Sequence, residues 1–132
     1  MNLTEGHLLL QRRHCEERRQ FVAELERLAT RLCNDGMRLA AEFEQTLTLG
    51  HWASANALSQ RQGTIERSLT AIESQIGAAN AALVAAEQEL RQHEHAFAQR
   101  AAGLALAARR REMRQRRRGR KPSPAPLDAN RR

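Results

Sequence analysis

The chain has 132 residues, enough for about one domain, and 41% of them are hydrophobic, which is typical of a folded protein. Only 3% are aromatic and all three prolines follow residue 121, so the composition disfavours a β-sandwich or a thick globular core and favours long helices. The net charge of +7 is uneven, because residues 1–108 carry 11 basic and 13 acidic side chains, whereas residues 109–132 carry 11 basic and 2 acidic ones.

The first predicted helix covers about residues 7–48. Apolar side chains recur there at spacings of three and four, from Val22 and Leu25 through Leu39 to Phe43. This spacing indicates a helix with one apolar stripe. The apolar run at residues 8–10 has no basic segment before it and no small-residue cleavage site, so we expect no signal peptide.

The tip between this helix and the next has two candidate positions. Threonines precede Gly50, a residue that can end a helix, and Gly63 is a second candidate further along the chain. Residues 51–54 offer polar side chains that can begin a new helix, so we place the tip at about 49–51 and keep Gly63 as the alternative. Trp52 then opens the second helix, where it either covers the open end of the hairpin or contacts a partner.

The second predicted helix covers about residues 52–118. An apolar seam alternates at spacings of four and three from Ile65 to Ala107, over about six heptads. Two helices joined by a short connection bury their stripes against each other. The predicted fold is therefore all-α, an antiparallel coiled-coil hairpin over residues 1–118 with a second helix longer than the first, followed by a flexible basic tail over 119–132.

The length difference has a further implication for this hairpin. At about 1.5 Å per residue the second helix extends past the first, so Phe97, Leu104, Leu106 and Met113 are expected beyond the paired region. A monomeric hairpin and an antiparallel dimer of straight helices bury the same stripes. The sequence therefore allows a monomer or weak self-association.

The sequence contains no arrangement of residues typical of catalysis or cofactor binding. The glycines occur singly, and His93 and His95, two residues apart on a helix, point in different directions. A two-helix hairpin also has almost no concave interior. We therefore expect no enzyme activity, no cofactor and no metal. No apolar stretch reaches the roughly 20 residues that span a bilayer, so we also expect a cytoplasmic protein.

The most conspicuous motif is a cluster of seven arginines, consisting of Arg109, Arg110, Arg111, Arg114, Arg116, Arg117 and Arg118. Each cation gains at most about 1 kcal/mol at a helix C-terminus, which is small beside their mutual repulsion, so the cluster indicates a ligand. Nucleic acid, an anionic membrane and an acidic protein surface all attract such charge. Nucleic acid is less favoured, because no aromatic residue is interleaved to stack on bases, but it stays open.

In the order of its elements the chain resembles the FliJ and YscO type of small coiled-coil proteins, the stalk proteins of the ATPase in flagellar and type III secretion export. The likeness covers residues 4–118. It consists of a charged first helix that includes Arg12 and Glu16, a glycine-containing tip, Trp52 at the start of the second helix, and a basic end.

The resemblance implies a non-catalytic stalk that inserts its terminal end into a hexameric secretion ATPase, regulates it, and contacts the export gate through the hairpin face near the tip. The residues implied in ATPase docking are Arg12, Arg13, Arg109, Arg110, Arg111, Arg114, Arg116, Arg117 and Arg118. The residues implied in contact with the gate or another partner are Leu39, Phe43, Trp52, Leu58, Gln62, Ile65 and Leu69. Ile65 and Leu69 also belong to the apolar seam, so they are either core or partner surface.

The sequence also allows two other functions. One is a nucleic-acid-associated coiled coil whose basic end binds phosphates. The other is an export chaperone or scaffold that binds amphipathic helices of partner proteins. Within the secretion interpretation, the sequence does not separate a flagellum from an injectisome, a virulence apparatus, although the arginine-rich end favours the injectisome.

Overall fold

Two long helices make up the part of the chain that the computed structural model describes, residues 4–119. Helix α1 is Glu5–Thr48, with 44 residues, and helix α2 is Trp52–Gly119, with 68 residues. The helices pack against each other in antiparallel directions, and no strand occurs within residues 4–119. The predicted all-α hairpin with a longer second helix is confirmed.

Helix α1 begins two residues before the position expected from the apolar spacing, because a capping box fixes its start. The side-chain oxygen of Thr4 accepts a hydrogen bond from the backbone N–H of His7 (3.3 Å), and Nδ1 of His7 accepts one from the backbone N–H of Thr4 (3.4 Å). These bonds satisfy donors that the first turn of a helix leaves unpaired, and Glu5 adds a favourable negative charge there.

The chain reverses direction at Gly50. Its φ of 76° is the only positive value among the described residues, and its N–H donates to the carbonyl of Leu47 (3.0 Å) while the N–H of His51 donates to that of Thr46 (3.0 Å). A residue without a Cβ adopts this left-handed conformation at little cost. Gly63, the alternative tip, lies inside α2.

The core of the hairpin belongs to the first of two packing units, which ends at Arg91. Its buried side chains are Leu8, Cys15, Val22, Leu25, Leu39, Ala55 and Leu90. Seam residues of α2 such as Ile65, Ile72 and Ile76 are only half-buried. One helix can cover only one side of another, so most seam residues keep an edge in solvent.

A polar bridge connects the two helices beside this core. Nε of Arg19 on α1 donates to Oε1 of Glu87 on α2 (3.1 Å), and Nη1 of the same guanidinium pairs with Glu16 (3.1 Å). These hydrogen bonds, first that with Glu16 and then that with Glu87, raise the pKa of Arg19. The arginine is charged at any physiological pH in either case, so the pair fixes packing geometry rather than a pH response.

The second packing unit begins at Gln92 and is helical throughout its described part, residues 92–119. His93, Glu94 and Phe97 are half-buried, and every residue from Ala98 to Gly119 is exposed. The predicted tail after Gly119 lies outside the described residues. Neither α1 nor α2 contains a segment long and apolar enough to cross a bilayer.

Two leucines three residues apart on α1 test how much burial in the seam contributes to the free energy of unfolding. Leu25 is 8% exposed and Leu28 is 40% exposed. We expect Leu25→Ala to lower the free energy of unfolding by about 2–3 kcal/mol through lost burial and a cavity, and Leu28→Ala by less than about 1 kcal/mol. Urea denaturation followed by circular dichroism at 222 nm measures both values. Equal losses of unfolding free energy would contradict the preferential burial of Leu25 in the seam.

Alanine substitutions at two glycines should change the free energy of unfolding in opposite directions. Gly50→Ala forces an L side chain into the left-handed region and lowers the free energy of unfolding by about 1 kcal/mol. Gly63→Ala raises it by up to about 1 kcal/mol, because alanine is the better helix former and the new methyl comes no closer than 3.9 Å to Nη1 of Arg67. Thermal unfolding of both variants tests the position of the turn. The assignment of the turn to Gly50 would be wrong if Gly63→Ala were the destabilising change.

Candidate docking surfaces

The seven clustered arginines lie on an intact helix. Helix α2 continues through all of them to Gly119, and each is exposed. We call residues 104–118 the arginine segment. Because its backbone is already helical, a partner that binds it does not have to supply the free energy for folding it.

The arginines point in many directions around this helix. Arg109, Arg110 and Arg111 form a triplet that recurs seven residues later as 116–118. Seven residues make about two helical turns, so the matching members of the triplets share a direction. At about 100° per residue the seven arginines span about 220° of the circumference, which we call the arginine arc.

The opposite side of the segment has no arginine. This arginine-free strip consists of Leu104, Ala105, Ala108, Glu112 and Gln115. The strip is mixed in character, since it carries one leucine, two alanines, one carboxylate and one amide. It is therefore not the wide apolar face of an amphipathic helix.

Two exposed apolar side chains lie inside the arginine arc instead. Leu106, 53% exposed, lines a shallow groove with Arg110 and Arg114, and Met113, 59% exposed, lines another with Arg110, Arg114 and Arg117. Arginine and apolar side chains thus share one surface. The sequence already places Leu106 and Met113 in the same stretch as the arginines, and the 3.6-residue period of the continuous helix adds that they share the arginine side.

The remaining arginines of the predicted docking set are Arg12 and Arg13. Arg12 and Arg13 are exposed on α1 and belong to the first packing unit, whereas Arg109 to Arg118 belong to the second.

A second exposed surface lies at the tip of the hairpin. Trp52 is 71% exposed and Leu49 is 64% exposed. Trp52 therefore does not cover the open end of the hairpin. No charged residue occurs from 45 to 60, although 28% of the chain is charged. The tip is thus an uncharged surface with two large apolar side chains, which is the character of a protein-binding hot spot.

The other residues predicted near the tip differ in exposure. Leu39 is buried and belongs to the core. Phe43, Leu58, Gln62, Ile65 and Leu69 are half-buried. Leu39 and Ile65 line one shallow groove, whose other lining residues are charged, namely Asp35, Arg38, Glu42 and Arg61.

Within residues 4–119 no three His, Cys, Asp or Glu side chains come together as a metal site would require. Comparison of the chain with protein-family models, curated proteins and solved structures finds no match.

The exposure of Trp52 predicts its fluorescence. Because Trp52 is the only tryptophan and faces water, its emission maximum should be close to that of a free tryptophan derivative and should hardly shift on unfolding in urea. Trp52→Ala should change the free energy of unfolding by less than about 1 kcal/mol. A strongly blue-shifted emission would mean that the indole is packed against the protein.

Proposed function

We propose that this chain is a non-catalytic stalk component of a bacterial type III secretion export apparatus, similar to the FliJ and YscO type of proteins. In this role the arginine segment docks into a hexameric secretion ATPase, and the tip region contacts the export gate. The protein works in the cytoplasm, at the inner-membrane base of the apparatus.

The observation that carries the proposal is the 220° spread of the arginines around an exposed helix. A flat acidic surface could contact only part of such an arc at one time. A ring whose interior carries acidic loops surrounds the helix and can pair with arginines on several sides. Charge complementarity of this kind speeds association, while Leu106 and Met113 supply apolar contacts that slow dissociation.

Regulation of the ATPase then follows from symmetry. A single hairpin is asymmetric, whereas six subunits of a ring are equivalent before it binds. The hairpin contacts some subunits and not others, so it biases assembly of the ring and the order in which its sites hydrolyse ATP. Coiled-coil packing between α1 and α2 supplies the stiffness that such a contact needs.

The uncharged tip is the part of the hairpin best suited to a gate contact. Trp52 and Leu49 are exposed there, and Leu58 and Gln62 on the first turns of α2 are half-exposed. A tryptophan in an uncharged surface gains binding energy from burial without the desolvation cost of a charge. Leu39, being buried, would act only by supporting this face. An export chaperone could bind the same surface.

Charge reversal within the arginine arc tests the proposal. Arg110→Glu, Arg114→Glu and Arg117→Glu in one chain should weaken binding to the secretion ATPase of the same genome at least about tenfold and abolish its stimulation, because like charges then meet in the ring. Helicity at 222 nm should stay unchanged, since all three side chains are exposed.

The matched control reverses three exposed arginines outside the segment, Arg27, Arg31 and Arg67, and so makes the same change in net charge. Stimulation of ATP hydrolysis should survive in this control. Full stimulation by the arc variant, or equal loss in both variants, would contradict docking through the arginine segment.

A further inference from the structure

The arginine segment has the dimensions and charge distribution of a helix that fits a nucleic-acid groove. We infer that residues 104–118 bind duplex DNA by lying in the major groove, with the arginine arc toward the DNA and the arginine-free strip toward solvent. This inference is independent of the stalk proposal, because it requires only the segment and a polyanion.

Groove dimensions and the size of the helix agree. A helix with its side chains is about 10–12 Å wide, and the major groove of B-DNA is about 12 Å wide and about 8.5 Å deep. In such a groove a helix meets phosphates on two walls and base edges on the floor. It therefore needs cations on its two flanks as well as on the face between them.

The three arginine directions match these three surfaces. Arg109 and Arg116 lie on one flank, Arg111 and Arg118 lie on the opposite flank, and Arg110 and Arg117 lie between them. Met113 and Leu106 are on the arc as well, next to Arg110. The strip that would face away from the phosphates holds Glu112, the one carboxylate of the segment. This position keeps the carboxylate of Glu112 away from the DNA phosphates, which would repel it.

Other polyanions fit the segment less well. An anionic membrane favours a helix with one apolar face, whereas Leu106 and Met113 lie among arginines and the opposite strip carries Glu112 and Gln115. Single strands are bound largely by stacking on aromatic rings, and residues 98–119 contain none. The major groove of duplex RNA is too narrow for side chains to read. Among membranes and nucleic acids, duplex DNA is therefore the polyanion that fits the segment best.

Binding to labelled duplexes tests the inference directly. Fluorescence anisotropy with the full chain should show at least about tenfold tighter binding to a short DNA duplex than to the RNA duplex of the same sequence, to the single strand or to phosphatidylglycerol vesicles. Each arginine that contacts a phosphate contributes about 0.9 to the slope of log K against log salt, so Arg109→Gln with Arg116→Gln should reduce the slope by about 1.8.

A pair of single substitutions separates groove binding from general charge attraction. Met113→Glu puts a carboxylate in the arginine arc, and Gln115→Glu puts the same charge two residues away on the arginine-free strip. We expect at least about a tenfold loss of DNA affinity for the first and less than about threefold for the second. Circular dichroism checks that both remain equally helical.

Three results would overturn the inference: equal losses for the two variants, an unchanged salt slope, or tighter binding to RNA, single strands or vesicles than to duplex DNA. Because these measurements use the purified chain without an ATPase, they fail or succeed separately from the stalk proposal.

Discussion

The hairpin depends on one interface, the seam between two helices that no third element within residues 4–119 covers. Seven apolar side chains are buried along it, and the other seam residues keep part of their surface in water. Each residue therefore contributes less than it would in a globular core, and stability must be accumulated over the length of the pairing. The long, regular apolar spacing of the sequence follows from this requirement, as does the single left-handed glycine that lets the chain return along itself.

Charge is distributed along the chain in accordance with this architecture. Along the paired helices acidic and basic side chains nearly balance, and some form local pairs such as Arg38 with Asp35 or a bridge such as Arg19 with Glu87. Two segments depart from this balance in opposite ways. Residues 45–60 carry no charge, and residues 109–118 carry seven arginines and one glutamate. The two segments are suited to different partners, one apolar and uncharged, the other strongly anionic.

Much of the fold could be predicted from the sequence, because a two-helix hairpin is specified by local signals. The spacing of the apolar residues predicts both helices, and Gly50, which follows two threonines, predicts the turn. Apolar spacing places the start of α1 only approximately, because it does not detect the reciprocal cap between Thr4 and His7. The burial of Leu39 follows from its place on the apolar stripe of α1. The exposure of Trp52 was not predictable, because sequence spacing does not tell whether a side chain beside the turn is covered. The directions of the arginines follow from a helix that continues through them, as the sequence predicts and as α2 does up to Gly119.

The spacing of the buried residues also bears on how the hairpin opens. On α1, Leu8, Cys15, Val22 and Leu25 are buried within the first half, whereas only Leu39 is buried in the second half. Since each stretch of a hairpin is held mainly by the helix turns directly opposite, such a structure need not open all at once. Backbone amides from Leu8 to Leu25 should therefore exchange with solvent deuterium more slowly than those around residues 40–50. The protein would then possess a gradient of local stability, with its most readily opened turns next to the exposed tryptophan.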